Sequence, residues 1–104
     1  MTLNEYADEV LAFRLPTADK EYAMLGLVGE VGELYSLFAK CRRDGADPTE
    51  YNKNVKKELG DILWFIAAIA DDFNLDLDDV AYGNYLKLAS RAARNTLTGS
   101  GDER

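Results

Sequence analysis

The chain has 104 residues, a formal net charge of −7, one cysteine and no histidine. That length carries one domain, and the acidic balance argues against binding a nucleic-acid backbone, which needs a basic surface, while leaving open small nucleotides held through metal ions. The missing histidine excludes Ser/His and Cys/His nucleophile arrangements, histidine zinc sites and Glu-x-x-His di-iron bundles, so a metal would have to be held by oxygen, which suits Mg²⁺, Mn²⁺ or Ca²⁺.

From the start of the chain, Thr2-x-x-Glu5 fits a capping box, and Leu3, Tyr6, Ala7, Val10 and Leu11 follow at helical spacing. This first helix is expected to stop near Arg14-Leu15-Pro16, because proline disfavours a helical residue before it. Glu5 lies where a secretory signal carries basic residues, and the single Cys41 fits a reducing compartment. A second helix is expected from about Ala18 to Arg43, capped by Thr17, with Lys40, Arg42 and Arg43 in its last turn. Gly26, Gly29 and Gly32 lie inside it and cost about 1 kcal/mol each relative to alanine. Close approach of another backbone, of a ligand, or tight helix packing would account for them.

Asp44-Gly45-Ala46-Asp47 reads as a turn. Asp47-Pro48-Thr49-Glu50 then combines an acceptor cap, proline at the first helical position and glutamate at the third, which starts a third helix running to about Phe73. From Leu59 to Ala70 only Gly60 and Asp61 interrupt its apolar residues, so this segment reads as the centre of a multi-helix core that includes a second subunit. Its apolar run is too short to span a bilayer. Asp76 is expected to cap a fourth helix with Leu77, Val80, Ala81, Leu88 and Ala92 as its apolar stripe, and Asn84, Lys87 and Arg91 project along one side of it. Residues 95–104 have the composition of a disordered tail, leaving 1–94 as the domain.

The stretch Leu27 to Phe65 organises the rest. Glu30 and Glu33 stand three apart, as do Glu58 and Asp61, and such pairs share a helix face. Both cross-pairs, 30 with 61 and 33 with 58, are centred on the Gly45/Ala46 peptide. If the two helices fold back as an αα-hairpin, the four acids meet at one level, roughly three to four helical turns above the loop. Two carboxylates about 4 Å apart repel by roughly 4 kcal/mol at an effective dielectric near 20, and a divalent cation removes that cost.

Glu30-x-x-Glu33, Glu58-x-x-Asp61 within Glu-Leu-Gly-Asp-Ile-Leu-Trp-Phe, and Asn84-x-x-Lys87-x-x-x-Arg91 together resemble the all-α nucleoside triphosphate pyrophosphohydrolases of the MazG type, over about residues 22–91. Two departures stand out: Gly29 and Lys57 occupy positions where the family often has a further acid, which bears on substrate choice more than on the chemistry. Trp64-Phe65 replaces the Tyr-His common in the phosphoribosyl-ATP branch. The resemblance implies an all-α bundle of four helices per chain completed by homo-oligomerisation, as a dimer or dimer of dimers, in the cytoplasm of a bacterium or a phage-infected host. It also implies Mg²⁺-dependent hydrolysis of (deoxy)nucleoside triphosphates to the monophosphate and pyrophosphate.

On that reading Glu30, Glu33, Glu58 and Asp61 hold the metal, and a metal-activated water attacks phosphorus with one carboxylate, first Glu30, as base. Asn84, Lys87 and Arg91 bind phosphate, with Lys40, Lys56 and Lys57 as weaker candidates. Base selection falls to Trp64, Phe65 and the segment Phe13 to Tyr22. The rival reading is a non-catalytic acidic helical dimer that binds a metal or a partner helix. A third keeps the chemistry but restricts the substrate to dUTP or dCTP.

Overall fold

The computed structural model describes residues 1–104 as four α-helices and no strand: α1 Leu3–Leu11, α2 Lys20–Asp44, α3 Pro48–Asp72 and α4 Leu77–Ala93. Three of the four caps lie where the sequence places them. Thr2 accepts from the Glu5 amide, Asp47 from that of Glu50, and Asp76 from those of Asp78 and Asp79. The exception is α2. Its cap is Asp19, whose carboxylate accepts from the Tyr22 amide at 2.9 Å, so the helix begins two residues later than a Thr17 cap implied. Either residue has the short acceptor a cap needs, and Asp19 adds a negative charge that the helix N-terminus favours.

Helices α2 and α3 pack along each other as an antiparallel hairpin, turned at Gly45, whose φ of +76° suits a residue without Cβ. Helix α1 lies across α3 and also meets α4. Its position is fixed by the indole N–H of Trp64, which donates to the Val10 carbonyl at 3.2 Å. Below it, Arg14 forms a bidentate pair with Asp72 at 2.9 Å and also donates to the Ala18 and Ala68 carbonyls. Where α1 meets α4, Asp78 accepts from the Leu3 amide while Asn4 accepts from that of Asp78.

The core is small. One cluster joins Ala23, Phe65 and Ala68, flanked by Leu11, Leu27 and Trp64; the other joins Ala67, Ala70 and Leu77 with Leu3, Tyr6 and Ala7 around it. Only 7 of 104 residues are buried, so the apolar run of α3, expected to be covered all round, is covered on one side while Leu59 remains 52% exposed. The Cα radius of gyration is 16.6 Å, against about 13 Å for a compact chain of this length. The accessible surface is 7759 Å², against about 5,800 Å² for a folded monomer of this mass. Residues 95–104 form turns and bends against the end of α4. No helix is long and apolar enough to cross a membrane.

Candidate active site

The hairpin brings Glu30 of α2 to Glu58 and Asp61 of α3, with one carboxylate oxygen of each lying within 4.8 Å of the others. The convergence follows from register: each acid stands a similar distance from the turn along two helices that run side by side. Glu33 is exposed and stands outside this trio, although its charge still acts on Glu30. Glu30 and Glu58 are half-buried and Asp61 is exposed, so the cluster has a protected floor and an open rim.

The electrostatics are those of an acidic site without a counter-charge. Burial raises the pKa of the Glu30 carboxyl, the adjoining Glu58 carboxyl, close enough to share a proton with it, raises it further, and the charges of Asp61, Glu58 and Glu33 add to both. No lysine or arginine is among the groups acting on it. The Oε2 of Glu58 is buried and accepts no hydrogen bond. A buried acceptor without a donor costs about 1–3 kcal/mol, more when charged. Within the trio, the available remedies are a proton held between Glu30 and Glu58 or a cation seated among three oxygens, and only the second leaves all three acids ionised. An all-oxygen donor set fits a hard divalent ion such as Mg²⁺.

The remaining residues singled out in the sequence lie elsewhere. Phe65 is in the core, with its ring edge-on to Trp64 at 5.1 Å between centroids, while Trp64 is half-buried. Asn84, Lys87 and Arg91 sit on α4, which packs on α1 and not along the hairpin. Asn84 is exposed; Lys87 is half-buried, with its Nζ 2.8 Å from Asp102 Oδ1. Arg91 is 5% exposed and donates to the backbone carbonyl and the carboxylate of Asp102. Hydrogen bonds from Lys87 and then Arg91 hold the Asp102 carboxyl below the usual carboxylate range.

Two neighbours of these groups have no mark in the sequence. Tyr6, on α1, is half-buried against the cluster of Ala67, Ala70 and Leu77, and the pKa of its phenol is raised first by burial and then by the charge of Asp61. Its helical spacing predicts a core residue, and only the crossing of α1 over α3 brings it toward Asp61. Asp102 lies in a segment whose composition predicts no structure, so nothing in its local sequence marks it as a partner of α4.

A helical hairpin that converges carboxylates from two facing helices defines the class of protein, an all-α fold carrying a candidate metal centre. The chain belongs to the MazG nucleotide pyrophosphohydrolase family, whose domain model matches residues 18–95. It is also similar to the gene 37 protein of Mycobacterium phage L5, with 39% identity over 85 residues, covering 80% of this chain and 75% of that protein. No solved structure matches the chain.

Proposed function

We propose that this chain hydrolyses (deoxy)nucleoside triphosphates to the nucleoside monophosphate and pyrophosphate, with Mg²⁺, or Mn²⁺ in its place, held by Glu30, Glu58 and Asp61 and with Glu33 at the rim. The observation that carries this reading is the trio of carboxylates, with no basic group acting on Glu30 and with a buried, unpartnered oxygen on Glu58. When bound, the metal supplies charge for the phosphate oxygens and acidifies a water.

The chain's own residues do the rest. Glu30, half-buried and with its carboxyl pKa raised by burial, takes the proton of the attacking water. Lys87 and Arg91 receive the charge of the β and γ phosphates, and Asn84 orients a phosphate oxygen. With Phe65 in the core, the half-buried Trp64 is the aromatic of the pair with surface left for a base.

The working form is a homo-oligomer, with the dimer as its unit. The surface in excess of a compact monomer is about 2,000 Å² per chain, so covering it by a second copy removes about 4,000 Å² in total, within the range of obligate homodimers. Leu25, Val28 and Tyr35 on α2 are 66–71% exposed. Between them, a Cβ added at Gly29 or Gly32 would meet nothing in the same chain. Glycines that cost helix stability without serving their own chain suit close approach of another backbone. Light scattering at micromolar protein should give at least twice the chain mass; a monomer would exclude this arrangement.

The activity is tested by measuring pyrophosphate release from a panel of NTPs and dNTPs with Mg²⁺, on the wild type and Glu58→Ala. The expected result is turnover by the wild type and its loss in the variant. A wild type inert on every nucleotide and metal would instead make the chain a metal- or partner-binding module. Comparative kcat/KM across bases identifies the preferred nucleotide.

A further inference from the structure

Residues 95–104 are curled into a loop chiefly by the Arg104 side chain, with Arg94 donating to the Arg104 carbonyl at 3.0 Å. Arg104 donates from Nε to the Thr96 carbonyl at 3.2 Å, from one terminal nitrogen to Gly101 at 2.7 Å and from the other to Leu97 at 2.9 Å. Asn95, Gly99 and Gly101 take positive φ values of 58°, 114° and 88°, which lets the backbone turn this tightly. The curl sets Asp102 over α4, where its carboxylate bridges Lys87 and Arg91 and its backbone carbonyl also accepts from Arg91. The walls of the small cavity there, about 190 Å³, are Lys87, Ser90, Arg91 and Arg94 on one side and Asp102, Glu103 and Arg104 on the other.

The two partners differ in burial. The side chain of Arg91 is 6% exposed and that of Asp102 74%. A buried guanidinium needs an anion, whereas an exposed carboxylate on a short loop can leave for water at little cost. The anion on Arg91 is therefore the replaceable member of the pair. A carboxylate bridging a lysine and an arginine also has the shape and charge of one edge of a phosphate group.

We propose that Asp102 is a tethered competitor for phosphate: its carboxylate occupies Lys87 and Arg91 until a di- or triphosphate group displaces it and releases residues 96–104 from α4. This rests on the assignment of Lys87 and Arg91 to substrate phosphates made above, and it adds regulation of that site by the chain itself. A fraction of molecules with the strap open binds phosphate directly, and the rest do so only after opening, so the apparent affinity is lowered by the closed fraction.

The test uses the full chain, with Mg²⁺ and inorganic pyrophosphate as the probe, and reads binding by calorimetry and the mobility of the Gly99–Arg104 amides by ¹⁵N relaxation. Saturating pyrophosphate should mobilise these amides in the wild type. Asp102→Asn should leave them mobile from the outset and tighten pyrophosphate binding about two- to fivefold, the range of an exposed ion pair. Arg104→Ala, which loosens the curl while keeping the Asp102 carboxylate, should shift both readouts in the same direction. Pyrophosphate that fails to bind, amides unchanged at saturation, or an Asp102→Asn protein that binds no tighter each overturns the proposal. None of these readouts depends on turnover: a wild type that releases no pyrophosphate from any nucleotide, yet whose strap opens for the probe, loses the hydrolase assignment and keeps this one.

Discussion

The acid trio of the α2–α3 hairpin and the Lys87/Arg91 pair of α4 are opposite charges in opposite circumstances. On the hairpin, the acids are brought together by helices packed along their length, and the trio has no internal counter-charge. On α4, the cations are already answered by Asp102, while the helix itself has little covering it: Val80, Tyr82, Tyr85, Leu86 and Leu88 are 43–63% exposed. The hairpin thus holds an unbalanced site and α4 a balanced one, while both leave apolar side chains exposed. The contrast shows what each lacks: the hairpin a cation as well as a cover over α2, α4 a cover alone.

The largest effects should separate the two regions by kind. Asp61→Ala removes an oxygen of the trio and should lower kcat at least about a hundredfold, with loss of the rise in melting temperature that Mg²⁺ gives the wild type. Lys87→Ala should act on the other half of the reaction, raising KM about tenfold, as for the loss of one charge-assisted hydrogen bond, while leaving the Mg²⁺-induced rise intact. Steady-state kinetics and thermal melts on the same preparations check both. If Lys87→Ala abolished the metal response, the two regions would be one site and the division would fail.

A pair of alanine substitutions sharpens the structural side. A Cβ at Gly26 would stand 2.2 Å from the Phe65 ring, so Gly26→Ala should destabilise the fold by about 1–3 kcal/mol through overpacking, read as a lower urea midpoint. The same change at Gly29 meets open space. It should leave the single chain as stable or up to about 1 kcal/mol more stable, while weakening self-association measured by sedimentation.

The smallest effect is a slope. The Glu30 carboxyl is raised first by burial and then by its acidic neighbours, so it favours the folded state only while protonated. Its contribution is complete below the ordinary glutamate pKa and is lost as pH rises through the raised value. The metal-free protein should therefore melt at a lower temperature as pH climbs out of the acid range, Glu30→Gln should flatten that fall, and Mg²⁺ should offset it in the wild type. A pH series of melts with and without EDTA decides it.

Much of this frame was legible in the sequence because its signals are local. A cap needs one acceptor side chain at the right residue, so Thr2, Asp47 and Asp76 could be placed without knowing what the helices pack against. The turn at Gly45 could be read in the same way. Thr17 misled because Thr17 and Asp19 satisfy the same local rule, and it is Asp19 that accepts from the Tyr22 amide. The segment 95–104 was unreadable for the opposite reason. Its order depends on Arg104 reaching three carbonyls and Asp102 reaching two cations on α4, and none of that is encoded in composition.

By itself the sequence determined the helices, their antiparallel return and the level at which Glu30, Glu58 and Asp61 meet, because helical periodicity and a turn's position fix register along an axis. Rotation about that axis, and the crossing of helices distant in sequence, were decided only by packing. Those leave Glu33 outside the trio, let the charge of Asp61 reach Tyr6, give Gly26 a partner in Phe65 and pack α4 on α1 instead of along the hairpin. Such features depend on side chains that find each other across the chain, and no spacing rule within one helix contains that information.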